Sequence, residues 1–276
     1  MKTLFLSDLD GTLLNNSAML TDYTRTQLQK MIGEGLLFSV ATARTNATVM
    51  KMFDGVGLNL PQILMNGVVI YDPVINKNVK SFAIDHKDVL SILDIYGKYN
   101  KSPMLYYMRD GYLEIMYRTV DNIYQQEYIT ARDALKYKRF KKYDGPLLIN
   151  DDDKIIYMVS LDKEEILSPI YNEIADSEAV NCAFYKDNYT SCNFMECMNK
   201  SVSKGKAALE LKKMLGVDKI IAYGDNLNDI PMFEIADECY AVSNACDELK
   251  AIATAVIDSN NENGVINHIA SKFYQE

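Results

Sequence analysis

Two short apolar runs far apart in the chain end the same way, and this constrains the fold more than any other feature. Thr3 to Ser7 leads into Asp8-Leu9-Asp10-Gly11-Thr12-Leu13, and Lys219 to Tyr223 leads into Gly224-Asp225-Asn226-Leu227-Asn228-Asp229. Runs of this kind read as buried strands whose carboxyl ends deliver polar groups to a site. Asp8 and Asp10 lie two residues apart on extended backbone and so on one side of it. Alone, an Asp-x-Asp-Gly segment is equally an ordinary capped turn. Several carboxylates at the ends of neighbouring parallel strands, however, repel one another unless a cation sits among them. Hard oxygen ligands in a chain with two histidines favour Mg²⁺.

The intervening pattern divides. Thr21 to Gly33 reads as a helix with Leu28, Met31 and Ile32 apolar, and with Gly33 and Gly35 as stop signals. A second apolar run, Leu36 to Ala41, closes in Thr42 and Arg44. A third, Gln62 to Tyr71, carries a turn at Asn66-Gly67. Strand, helix and strand in succession predict a parallel sheet with crossover helices. From about Phe82 the texture changes. Helices are expected over 85–99, 121–134 and 163–176, a hairpin over 104–118 turning at Arg109-Asp110-Gly111, a strand over 154–161 and two more between Cys182 and Met198. After Ser203 the alternation resumes with a helix over 204–215, the strand 219–223 and a helix near 230–236. The expectation is an α/β protein: a Rossmann-like parallel-sheet core from 1–83 and 190–276, interrupted by an α+β module over 84–189.

A length of 276 residues accommodates this, and 48% hydrophobic with 24% charged residues is ordinary for a globular chain. The formal net charge of −9 opposes attraction to a nucleic-acid backbone or an anionic membrane, so neither is an expected partner. Five cysteines without a Cys-x-x-Cys pair make a zinc site poor, and their odd number suggests reduced thiols. The opening MKTLFLSDLDGTL is broken by Asp8 and Asp10, unlike a signal peptide or anchor. A soluble cytoplasmic protein is expected.

DLDGTL, the threonine of VATAR, the lysine of SVSKGKAAL and GDNLND, in that order, resemble the four motifs of the haloacid dehalogenase superfamily. An insertion between the second and third motifs is similar to its Cof-type branch with a C2-type cap. The resemblance implies a Mg²⁺-dependent phosphatase acting on a small phosphorylated molecule through an aspartyl-phosphate. Asp8 would be the nucleophile and Asp10 the general acid and base. Asp8, Asp225 and the Asp10 backbone carbonyl would hold the metal. Thr42 would donate to a phosphoryl oxygen and Lys204 would supply positive charge. Asp229 would stand behind the metal and Lys204, or N-cap the helix that begins at Ile230-Pro231, or both.

Asn228 would reach the phosphate or a metal-bound water, and Arg44 and Asn66 the substrate, although structural hydrogen bonds explain the last two equally well. Ala43 and Ser201 depart from the usual glycines and remove no reacting group. Asp187, Asn188 and Tyr189 are candidate cap contacts, or a plain hairpin turn. The expected partner is a small phosphate ester, and the chain a monomer or homodimer. A phosphomutase is the alternative enzyme, and a phosphate- or metal-binding regulator the alternative of another class.

Overall fold

Thr3–Ser7 is buried at every residue and lies inside a parallel sheet, paired with Lys219–Gly224 on one side and Leu37–Val40 on the other. The structure is a computed structural model that describes residues 1–109, 112–133, 138–144, 154–186 and 192–275. The sheet has five strands, in the order Ala255–Ile257, Glu238–Val242, Lys219–Gly224, Thr3–Ser7, Leu37–Val40. Parallel neighbours cannot be joined by tight turns, so helices carry the chain back between them: Asp22–Gly33, Lys204–Leu215, Ile230–Phe233 and Asp247–Ile252.

The Asp22–Gly33 helix starts where the Thr21 hydroxyl accepts from the Thr24 N–H. It buries Thr24, Leu28, Met31 and Ile32, a single face at helical spacing. Each such Leu or Met contributes about 1.5–3 kcal/mol by leaving water. The register aligns Ser7 with both Tyr223 and Val40, so residues 8, 41–42 and 224–225 emerge at one edge of the sheet. A smaller sheet of Gln62–Leu64, Val69–Asp72 and Lys77–Ser81 attaches through a parallel bridge between Ala41 and Ile63.

The chain divides into two compact units, 1–80 with 202–276, and 81–201. The second contains a six-stranded sheet in the order Val180–Lys186, Asn193–Asn199, Ile155–Asp162, Met104–Arg109, Tyr112–Tyr117, Lys138–Lys142. Its pairs are antiparallel except the last, which is parallel. Val89, Ile92 and Tyr96 of helix His86–Lys98 and Leu167, Ile170 and Ile174 of helix Glu164–Ile174 share its core with Leu105, Met158 and Met195. A third helix is Ile123–Asp133.

The expected division at 83/84 and 189/190 differs from the observed one. Asn193–Asn199 pairs on both flanks within the second sheet, which holds the chain there until 201. The Ile84 N–H donates to the Ile155 carbonyl at 2.8 Å, and the Asn199 side chain to the Ala83 carbonyl at 2.7 Å, tying 83 and 84 to the same unit. The helix expected to run to 236 ends at Phe233. Asp110 and Gly111 of the expected hairpin turn lie outside the described residues, between the two expected strands. Among the described residues no helix is long and apolar enough to cross a membrane.

Candidate active site

The site assembles where three neighbouring strands end, Lys219–Gly224, Thr3–Ser7 and Leu37–Val40. Asp8 follows the first strand, its N–H donating to the Tyr223 carbonyl at 3.0 Å, and its side chain is buried. At the next turn Gly11 adopts φ +76°, a left-handed conformation that a Cβ resists. A Cβ there would also collide with the Asp225 carboxylate. The glycine therefore lets the ends of Thr3–Ser7 and Lys219–Gly224 touch. Thr12 completes the join, its hydroxyl donating to Asp225 Oδ1 at 2.8 Å.

Lys204 opens the helix Lys204–Leu215, which Ser203 caps by accepting from the Lys206 N–H. Gly205 faces the Pro231 carbonyl so closely that a Cβ has no room, and this seats the helix start deep in the site. Only 1% of the lysine side chain is exposed, and its Nζ donates to Asp8 Oδ1 and Asp229 Oδ1, both at 2.7 Å. Asp229, fully buried, also accepts at Oδ2 from the Asp225 and Asn226 N–H groups. Asp229 thus grips the lysine but does not cap the helix Ile230–Phe233 with its side chain; its carboxylate accepts instead from the N–H groups that open the preceding turn.

Thr42 is buried at the end of the Leu37–Val40 strand. Its hydroxyl oxygen accepts from the Arg44 N–H at 3.1 Å, which leaves the hydroxyl hydrogen to donate. Asn66 holds the left-handed conformation at φ 55° and its N–H donates to the Thr42 carbonyl. Asn228 Nδ2 donates to Asn66 Oδ1 at 3.2 Å, so two residues expected to meet substrate meet each other. Asp10 is the exposed member, with 49% of its side chain accessible, and Arg44 grips it from both ends: Nε donates to Oδ2 at 2.7 Å and Nη2 to Oδ1 at 2.5 Å.

The charges do not balance. Asp8, Asp225 and Asp229 bring ligand oxygens within 4.8 Å of one another, with the single Lys204 ammonium among them. Burial pushes the Asp8 carboxyl up to about 8, aided by Asp229 and Asp225 and opposed by Lys204. Burial likewise raises Asp225. Desolvation works against the Lys204 ammonium, but the Asp8 and Asp229 carboxylates outweigh it and raise its pKa. A hard divalent cation fits this donor set, because it would neutralise the excess negative charge with oxygen ligands alone. Asp8 and Asp225 have oxygens to offer, whereas both oxygens of Asp229 are engaged by Lys204 and backbone N–H groups. The Asp10 side chain is turned to Arg44, so any ligand from this residue would be its backbone carbonyl.

Every expected core residue thus reaches one edge of the sheet. Thr12 and Asn244, whose Nδ2 donates to the Gly11 carbonyl at 2.7 Å, were not anticipated. Thr12 was readable from its place in the Asp-x-Asp-Gly-Thr string, while nothing around Asn244 marks it. Asp187, Asn188 and Tyr189 lie outside the described residues.

The model of the haloacid dehalogenase-like hydrolase family matches residues 5–269. Phosphatase YwpJ of Bacillus subtilis (strain 168) is 30% identical over 281 residues, 94% of this chain and 95% of its own. The 5-amino-6-(5-phospho-D-ribitylamino)uracil phosphatase YwtE of the same organism is 27% identical, covering 94% of this chain and 93% of its own. The crystal structure of TM0651 from Thermotoga maritima has the same fold, with a TM-score of 0.76 over 98% of this chain and 97% of that one at 23% identity.

Proposed function

Because the chain belongs to the haloacid dehalogenase-like hydrolases and is a phosphatase of that superfamily, we propose that it hydrolyses a small phosphorylated metabolite, with magnesium, through a phosphoryl group carried on Asp8. The observation that carries this reading is the Asp8 carboxylate itself: buried, held through Oδ1 by Lys204, and crowded by Asp225 and Asp229. Magnesium, held by Asp8, Asp225 and the Asp10 carbonyl, would supply charge shielding between an anionic nucleophile and an anionic ester.

The chain's own groups do the rest. An Asp8 oxygen attacks phosphorus as the bond to the leaving oxygen breaks, and Asp10 donates its proton to that oxygen. Asp10, now a carboxylate, takes a proton from the water that attacks the phosphoryl group, which releases inorganic phosphate and restores Asp8. Lys204, fixed by Asp229, and the Thr42 hydroxyl stabilise charge on the transferring group. Asn66, Asn228 and Arg44 flank the entry, and the inserted unit acts as the cap that selects the substrate. The protein works on a soluble ester in the cytoplasm as a monomer or homodimer.

The test is release of inorganic phosphate from a panel of phosphorylated metabolites, with Mg²⁺, with EDTA and with Asp8→Asn. The panel includes 5-amino-6-(5-phospho-D-ribitylamino)uracil, on which the name of one relative is based. The expected result is metal-dependent release lowered roughly 10³-fold or more in Asp8→Asn. Turnover of an ester without phosphate release would place the protein among phosphomutases instead.

A further inference from the structure

Resting on the proposed roles of Asp8 and Asp10, we infer that Arg44 is a positioning residue for proton transfer by Asp10, beyond any contact it makes with the phosphate. Asp10 stands on the turn after the first strand with half its side chain in solvent, where packing alone constrains a carboxylate weakly. Two nitrogens of one guanidinium hold it, Nε on Oδ2 and Nη2 on Oδ1. A planar fork fixes both position and plane of a carboxylate, which a point charge does not.

The fork is itself anchored. The Arg44 N–H donates to the Thr42 hydroxyl at 3.1 Å, and the Arg44 carbonyl accepts from the Met65 N–H at 3.0 Å. The orientation of Asp10 is thereby tied to the residue that contacts the phosphoryl group. In the working pair the fork stays on Asp10 through one lone pair of each oxygen, and the acid proton sits on the remaining lone pair of the oxygen that faces the ester. In that arrangement the Asp8–phosphorus bond forms, the bond to the leaving oxygen breaks, and the Asp10 proton moves to that oxygen, leaving an alcohol and a carboxylate held by Arg44.

Dependence on the leaving group separates positioning from phosphate binding. A nitrophenolate departs without protonation, whereas an alkoxide needs the acid. The experiment measures kcat/KM for 4-nitrophenyl phosphate and for a simple alkyl phosphate, with Mg²⁺, for the full chain and for Arg44→Ala, Arg44→Lys and Asp10→Asn, with thermal melts confirming that each variant is folded.

The expected result is that Arg44→Ala loses about 100-fold more on the alkyl ester than on the aryl ester, as does Asp10→Asn. Arg44→Lys recovers aryl turnover but not the ratio, since it restores charge without the fork. Combining Arg44→Ala with Asp10→Asn adds no further discrimination between the esters. An equal loss on both esters in Arg44→Ala, with Asp10→Asn still discriminating, overturns the inference and makes Arg44 a phosphate ligand only. Should Asp10→Asn itself lose equally on both, the acid role of Asp10 fails and the inference falls with it.

Discussion

The two units bury polar groups in opposite ways. In the core, three carboxylates meet the Lys204 ammonium, and burial, aided by Asp229 and Asp225 and opposed by Lys204, pushes Asp8 up to about 8. In the inserted unit several tyrosines are buried as neutral phenols with partners. Tyr106 and Tyr128 share a hydroxyl contact at 2.6 Å, Tyr96 and Ser160 one at 2.8 Å, and the Tyr157 hydroxyl donates to Glu196 at 3.0 Å. Burial raises the pKa of all these tyrosines, which moves them further from ionisation near neutral pH and costs nothing there. Electrostatic conflict is kept where chemistry needs it, and satisfied polar pairs hold the scaffold.

Removing the one counterion should expose that conflict most. Lys204→Met leaves Asp8 and Asp229 facing each other in the interior, and about 3–5 kcal/mol of stability should be lost along with turnover. Chemical denaturation in EDTA measures it. A loss below about 1 kcal/mol would mean that the carboxylates do not depend on the lysine, and the contrast between the units would collapse.

Gly11→Ala tests whether the close join is needed. It imposes a strained φ and pushes against Asp225, so about 1–3 kcal/mol and at least tenfold in kcat/KM should disappear together. Stability lost with activity intact would detach the turn from catalysis. Tyr106→Phe, on the scaffold side, should cost about 1 kcal/mol by stranding the Tyr128 hydroxyl, with turnover of a small aryl phosphate unchanged.

The smallest expected effect is at Glu238. Lys219, Lys272 and Tyr240 hold its carboxyl down to about 2 from an ordinary 4.5. A depressed carboxyl contributes stability above its unfolded value and loses it as the pH falls toward the folded one. The melting temperature of Glu238→Gln should therefore fall less than that of the parent between pH 5 and pH 2, with the two profiles parallel above pH 6. Such a parallel would separate a satisfied ion-pair network at the sheet margin from the site, within one unit.

The core was legible because its signals are local. An apolar run ending in Asp8 and Asp10, a threonine closing the next run, and a lysine opening a capped helix each occupy a few consecutive residues, and parallel topology then fixes where they meet. The Arg44 grip on Asp10 and the Asn66–Asn228 contact were not legible, since they join residues 34 and 162 positions apart through side-chain geometry. The return to the core was placed at 190 although the strand pattern continues to Met198 and the helix–strand alternation resumes after Ser203, and the pairing of Asn193–Asn199 on both flanks assigns it to the inserted unit. The segment after 236 went unread: Glu238–Val242 and Ala255–Ile257 are short strands without an acidic terminus to announce them, although the sheet needs both. In the inserted unit the sequence offered Asp187, Asn188 and Tyr189, which lie outside the described residues, while its buried tyrosines serve packing.

The position of Thr3–Ser7 between two partners has a consequence for how the protein is made. One neighbour, Leu37–Val40, follows soon after it, whereas the other, Lys219–Gly224, is synthesised some 210 residues later. At ribosomal speeds of about 5–20 residues per second that is a wait of roughly 10–40 s. The unit over 81–201 carries its own core and is complete before the wait ends. For most of it the nascent chain holds Asp8 without Lys204, and for all of it without Asp225. Enzymatic competence therefore arrives in one step, late, when the two ends of the chain find each other, and recovery of turnover on refolding times that event and no earlier one.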